Sequence, residues 1–358
     1  TSATTAGLHR ESPMRPALEA TIAPALKVAG VLLALLYTIS LGGCGCGFDC
    51  NNGNSGNGPA VINLGFSADT IDDVKQVVVE VDSITLVRSA GDDVTIETFT
   101  IDELGVVGAD SFQVDLLDYP GLNQLLVTRD LEASAQSYSS VRLEILDGDI
   151  NRSYVMQSDD TLKRLNLAGS ALTLPGVTLS SGAGTVTITF GLARALQFRE
   201  GNDDYLLTED GIRVQDNAIS ASLTGRVDST LFDTEAPCDT KEDPESGNRI
   251  YLYSAIDLDD DPLGDVFTTD SSNDVPDGTV APYAVATLLE DGLTGAWQYA
   301  LGFLPAGDYT LAFSCNADDD DPVNYDGIEV PLPVDQSSEL NLLEGDSAVC
   351  DLDANGSC

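Results

Sequence analysis

Short runs of alternating apolar and polar residues recur from Val61 to the C-terminal region, broken every 8–20 residues by Gly, Asn or Asp. A period of two places successive side chains on opposite faces of a strand, and frequent breakers limit strand length. Val61–Phe66, Val74–Val81 (continued by Ile84–Val87), Val94–Phe99, Ser111–Leu117, Val141–Leu146, Ser153–Gln157, Leu172–Leu174 and Thr185–Phe190 form a first set. Ile250–Ile256, Val280–Leu289, Ala296–Phe303, Tyr309–Ser314, Ile328–Val330 and Leu340–Leu343 form a second. Strict alternation in VTITF and VRLEIL predicts one buried and one wet face. Helical period is confined to short pieces at Leu122–Leu126 and Leu192–Glu200. The fold class is therefore all-β, as two β-sandwich domains in tandem. The polar, Pro-bearing segment 233–249 separates domain 61–232 from domain 250–346, and 347–358 reads as an acidic tail.

What precedes the first strand sets the compartment. Met14 reads as the start, with 1–13 an upstream extension. Arg15 and Lys27, the positive charges of an n-region, precede a 14-residue apolar run, Val28–Leu41, shorter than the ~20 residues that span a bilayer. Leu41-Gly42-Gly43-Cys44 then resembles the lipobox of bacterial lipoproteins. That resemblance implies a signal peptide over 1–43, cleavage before Cys44, and acylation of Cys44 as the membrane anchor. A retained transmembrane helix is the alternative. Gly45 in place of Asp implies the outer membrane, by similarity to enterobacterial sorting, with the protein facing the periplasm or the cell surface. Residues 44–60, rich in Gly, Asn and Ser, read as a flexible tether.

Within 61–232, four segments occur in one order: GFSADTIDDVKQVVVEVDSITL, VDLLDY at Val114–Tyr119, YSSVRLEIL at Tyr138–Leu146, and TFGLARAL at Thr189–Leu196. They resemble the bacterial domain-of-unknown-function 4382 family of exported lipoproteins. Phe190-Gly191-Leu192 stands where that family's late strand ends in acidic residues. The resemblance implies an exported β-rich domain and carries no catalytic residues. Further on, FLPAGDYTL at Phe303–Leu311 resembles the turn of transthyretin-like and carboxypeptidase-regulatory-like sandwiches. It implies that Tyr309 opens a strand with its ring in the core.

Charge narrows the function. With 16 Lys+Arg against 59 Asp+Glu, the net charge is −43, and no basic stripe exists to neutralise phosphates, so nucleic acid is not a partner. Cleavage before Cys44 leaves 13 bases and 57 acids and removes His9, the single histidine. Only three of those bases are Lys, a pattern consistent with a halophilic habit. A chain without histidine has lost the commonest general base and zinc ligand. The sequence holds no G-x-S-x-G, P-loop, G-x-G-x-x-G or H-E-x-x-H. Paired carboxylates for glycoside hydrolysis exist in number, but sequence cannot choose a pair.

Six cysteines remain beside Cys44: Cys46, Cys50, Cys238, Cys315, Cys350 and Cys358. An even number in an exported chain predicts disulfides, with Cys238 or Cys350 pairing with Cys315. Carboxylates at alternate positions occur at Asp257, Asp259 and Asp261, at Asp318 and Asp320, and at Asp351, Asp353 and Asn355. None completes an EF-hand, since the twelfth-position Glu is absent. Their first reading is a solvated acidic surface; weak extracellular-type Ca2+ binding is the alternative. No other cofactor is implied. Trp297 with Tyr299 could stack on a sugar, although core packing is the commoner fate of such a pair, and Tyr251 with Tyr253 poses the same choice. The expectation is a non-enzymatic, membrane-anchored envelope lipoprotein with a binding, adhesion or structural role and a glycan or envelope-protein partner. The alternatives are a carboxylate-dependent surface or secreted glycan hydrolase and a Ca2+-dependent adhesion module.

Overall fold

The computed structural model describes residues 59–358 except 73, 259–261, 270 and 357. Signal, lipobox, tether, Cys44, Cys46, Cys50, Asp259 and Asp261 lie outside the described residues. Among those residues helix is confined to single turns, Leu192–Ala195 and Thr230–Asp233, beside three 3-10 turns. None of these is long and apolar enough to cross a membrane. The fold of the described residues is all-β and sandwich-type, and their sheets close no barrel.

The first sheet runs Arg213–Asp216, Gly182–Phe190, Pro59–Ala68, Leu125–Ser134, with the central pair parallel from Ala60↔Gly182 to Ala68↔Phe190. The second is built on Val74–Val87. This 14-residue strand pairs along its length with Tyr154–Gln157, Phe112–Asp115, Ser137–Ile145 and Val94–Ile96. Between the two sheets Phe66, Phe99, Phe112 and Phe190 interlock, with ring centroids 4.7–6.2 Å apart. Aromatic burial of this kind is the largest single hydrophobic contribution to a core.

Two further sheets form the second sandwich. One runs Leu289–Glu290, Trp297–Leu304, Ala221–Val227, Ser347–Val349; the other runs Ala284–Thr287, Arg249–Tyr253, Gly307–Ser314, Ser337–Leu342. Leu223, Ile250, Leu252, Leu301, Leu311 and Phe313 fill the space between them. Arg249–Tyr253 is buried on both faces: Ile250 and Leu252 enter this core, while Tyr251 and Tyr253 enter a third cluster roofed by loop residues Val266, Ala317 and Val330.

Several sequence expectations change. Ala221–Val227, counted with the first domain, pairs with Trp297–Leu304 and packs in the second core, because its apolar Ala221, Leu223 and Val227 complete that sandwich. Residues 347–358 are not a free tail: Ser347–Val349 adds to that sheet in parallel, and Cys350 and Leu352 are buried. Thr187 and Thr189 do not face water. Their strand is central, and the polar side chains of Gln124 and Asn217 cover Thr187, at 2.6 and 2.8 Å from its hydroxyl. VRLEIL keeps the expected alternation, with Val141, Leu143 and Ile145 inside. Ile328–Val330 is loop rather than strand, since the Ile328 N–H is given to the Asp265 carboxylate instead of a neighbouring strand. Leu122–Leu126 forms no helix, and Leu192–Glu200 gives one helical turn before the strand Leu196–Arg199.

The two sandwiches are joined by polar contacts. Arg213 donates to both oxygens of Asp69 (2.7 and 2.8 Å) and to the Gly302 carbonyl (3.3 Å), all buried. Thr70 and Thr287 bond through the Thr287 N–H (3.2 Å) and the Thr70 hydroxyl (2.9 Å).

Candidate functional site

A cleft of about 600 Å3 lies on the outward face of the sheet carrying Trp297–Leu304. Antiparallel pairing sets its floor. Gln298 pairs with both Leu289 and Arg226, and Ala300 pairs with Thr224, which in turn pairs with Val349. Side chains on one face of neighbouring strands thus form two short rows, Leu289–Gln298–Arg226 and Ala300–Thr224–Val349. The loop Pro120–Asn123 of the first sandwich forms one wall, and Asp351 lies at an edge with its Oδ1 accepting the Arg226 N–H (2.8 Å). Two glycines permit that approach. A Cβ on Gly302 would stand 2.3 Å from the Gly121 carbonyl oxygen, and Gly121 itself has φ +61.

The cleft is chemically mixed. Leu122, Leu289 and Val349 are each at least 45% exposed and come together in this one cleft. Between them stand the amides of Gln298 and Asn123, the Thr224 hydroxyl and the Arg226 guanidinium. Hydrogen-bonding groups set among apolar contacts are what a binding cleft requires.

The residues singled out from sequence are distributed as follows. Cys238 bonds Cys315 (Cα–Cα 6.0 Å) and Cys350 bonds Cys358 (4.9 Å), so the expected partner of Cys315 is Cys238. Asp257 and Asp318 are exposed. Asp351 faces the cleft, while Asp353 caps a turn by accepting the Asn355 N–H at 2.7 Å. Asp320 is buried: its Oδ2 accepts the Tyr251 hydroxyl (2.6 Å) and pairs with Arg249 (3.2 Å), and its Oδ1 accepts the Val266 N–H (3.0 Å). Burial pushes its carboxyl up to about 6, against the pull of Arg249. Trp297 packs edge-on against Phe232 at 5.5 Å, and Tyr299 is buried with its hydroxyl donating to the Cys350 carbonyl (2.8 Å). Tyr299 is therefore core, and Trp297 is half-buried against it, so the two do not present a joint exposed platform. Tyr251 and Tyr253 are likewise core, and burial raises both phenols well above their usual range. Tyr309 is the third residue of the Gly307–Ser314 strand rather than its first, with the ring buried and its hydroxyl donating to the Pro305 carbonyl (2.8 Å).

Sequence reasoning missed the cleft. Its floor residues lie in four separate strands, and no local pattern distinguishes an outward polar row from any other wet face.

Residues 60–208 match DUF4382, a family described as a domain of unknown function. The match covers the first sandwich up to its Asp204–Leu207 strand and leaves the second sandwich outside. No curated protein sequence matches the chain. Among solved structures, a leucine-rich repeat protein of Bacteroides thetaiotaomicron aligns at TM-score 0.18 and 12% identity, over 82% of this chain and 25% of its own. A candidate cell adhesion protein of Bacteroides fragilis aligns at TM-score 0.19 and 11% identity, over 82% and 92%. The tip fimbrial protein of Porphyromonas gingivalis aligns at TM-score 0.18 and 10% identity, over 82% and 94%. Such low scores identify no common fold.

Proposed function

We propose that the chain is a lipid-anchored envelope protein that binds a glycan, without turnover, across the outward face of its second sandwich. The cleft carries this reading: amides, a hydroxyl and a guanidinium match sugar hydroxyls, and Leu122, Leu289 and Val349 match the apolar faces of sugar rings. The two cystines support export, since disulfides persist in oxidising compartments. The lipobox at Cys44 supports the anchor, where several acyl chains at about 0.8 kcal/mol per buried CH2 hold a soluble domain on a bilayer.

Two experiments test the parts separately. Labelled palmitate enters the parent protein in a globomycin-sensitive manner and is absent from Cys44→Ala; a Cys44→Ala variant that stays acylated and membrane-bound refutes the anchor. On a glycan array the parent binds, and Gln298→Ala or Asn123→Ala weakens binding by about tenfold, the order of one or two lost hydrogen bonds. Hydrolysis of a glycan, abolished by one Asp or Glu substitution, refutes the non-catalytic reading. Binding unchanged in both cleft variants refutes the cleft.

A further inference from the structure

We propose that Asp265, Asp320 and Asp326 form a binding site for a divalent cation of calcium's class, independent of the lipid anchor and of the cleft. Each residue offers one carboxylate oxygen, and the three oxygens lie within 4.8 Å of one another. Calcium binds oxygens at about 2.3–2.6 Å, so ligands on opposite sides of one ion stand about 5 Å apart. The spacing therefore suits a single shared ion.

A second observation separates this group from the acidic surface. Asp265 has no exposed area. Its Oδ2 accepts the N–H groups of Asp326 and Ile328, both at 2.9 Å, while its Oδ1 is buried and has no hydrogen-bond partner among the described residues. A buried carboxylate oxygen without a donor costs free energy that a coordinated cation would offset. The surrounding charges point the same way. Arg249 answers Asp320 at 3.2 Å but is shared with Asp72 at 3.7 Å, and Tyr251 contributes only a hydroxyl. Asp326 feels Asp321 and Asp319 nearby. One guanidinium thus faces several carboxylates, and the carboxyls of Asp265, Asp320 and Asp326 are all raised, chiefly by burial.

The three residues come from two long connections, 254–283 and 315–336, which already touch through Thr268 N–H to the Val323 carbonyl (3.0 Å) and Tyr325 N–H to the Ser271 hydroxyl (3.0 Å). An ion here would fasten the two loops over the cluster containing Tyr251 and Tyr253. Irregular loop ligands suit calcium's flexible coordination better than magnesium's strict octahedron, with carbonyls or water completing the shell.

The test uses the full-length chain, freed of metal by chelator and held at constant ionic strength with KCl so that the charge of −43 is screened equally throughout. Tb3+ luminescence excited through tyrosine reports the site, since Tyr251 bonds Asp320 directly. Ca2+ is expected to displace Tb3+ with a dissociation constant of roughly 0.1–1 mM, the range of extracellular modules, and to raise Tm saturably. Asp326→Asn, at an exposed position that tolerates the change, is expected to weaken Ca2+ by about tenfold or more while keeping the Tm measured in chelator. Asp353→Asn, on a distant turn, is expected to titrate as the parent does. Asp265→Asn gives a second reading if it folds; Asp326→Asn decides alone if it does not. No sensitised luminescence, or an Asp326→Asn variant that binds Ca2+ like the parent, overturns the site. Equal weakening in Asp326→Asn and Asp353→Asn overturns it as well, by showing diffuse surface binding.

Discussion

At Asp320 a buried carboxylate is held by one hydroxyl, one guanidinium and one backbone N–H, so the effect of removing a single partner can be stated in advance. Tyr251→Phe deletes the hydroxyl without changing the shape of the ring and is expected to cost about 1–3 kcal/mol in urea unfolding, because the acceptor stays buried. The pH dependence has a definite sign. Folded Asp320 keeps its proton to about 6, whereas an unfolded aspartic acid loses it near ~3.9. Between these values the folded state binds the extra proton, so this group's contribution declines as pH rises from about 4 to about 6 and is level above. In chelator, the stability of the parent relative to Asp320→Asn is expected to fall by about 2–3 kcal/mol between pH 4 and pH 6.5. A difference that grows with pH instead would show that Arg249 dominates. At this scale the sequence showed Asp320 within an acidic run, but not that it alone of that run turns inward. Asp265 and Asp326, 61 residues apart, carried no spacing signal at all.

Among the elements, alternation identified most strands and failed at their second face. VTITF looks half-wet, yet Thr187 is covered because its strand has neighbours on both edges and a loop above. Ala221–Val227 shows the same limit: period two marks a strand and says nothing of which sandwich recruits it. The close approach of Gly121 and Gly302 belongs to this scale. Gly302→Ala places a methyl 2.3 Å from a carbonyl oxygen, and is expected to cost about 1–3 kcal/mol while altering the glycan binding proposed for the adjoining cleft. Calorimetry and the glycan array on one preparation check both effects. A variant with parental Tm would show that the loop yields freely and that the wall of the cleft is soft.

Across the whole molecule, two cystines act on loops of very different length. Cys238–Cys315 spans 77 residues and ties the connection after Ala221–Val227 to the end of the Gly307–Ser314 strand; Cys350–Cys358 spans 8 and closes a short loop after Ser347–Val349. Restriction of the unfolded chain scales with the logarithm of loop length, so the first is worth about 4.5 kcal/mol and the second about 2.5. Replacing Cys238 and Cys315 together by Ser is expected to destabilise more than replacing Cys350 and Cys358, as measured by denaturant midpoints at constant m. The reverse order would mean that the short bridge secures the Ser347–Val349 strand more strongly than loop entropy predicts.

The sequence alone determined the class of the fold, because period two is a property of the chain itself. It also bore the family resemblance that residues 60–208 bear out, and placed Tyr309 inside. Tertiary structure alone decided where Ala221–Val227 belongs, that Cys238 takes Cys315, which acidic residue is buried, and that Leu289, Gln298 and Arg226 stand in one row. Each of these depends on contacts between segments tens of residues apart. Such contacts are fixed by the packing of whole sheets, and local periodicity holds no record of them.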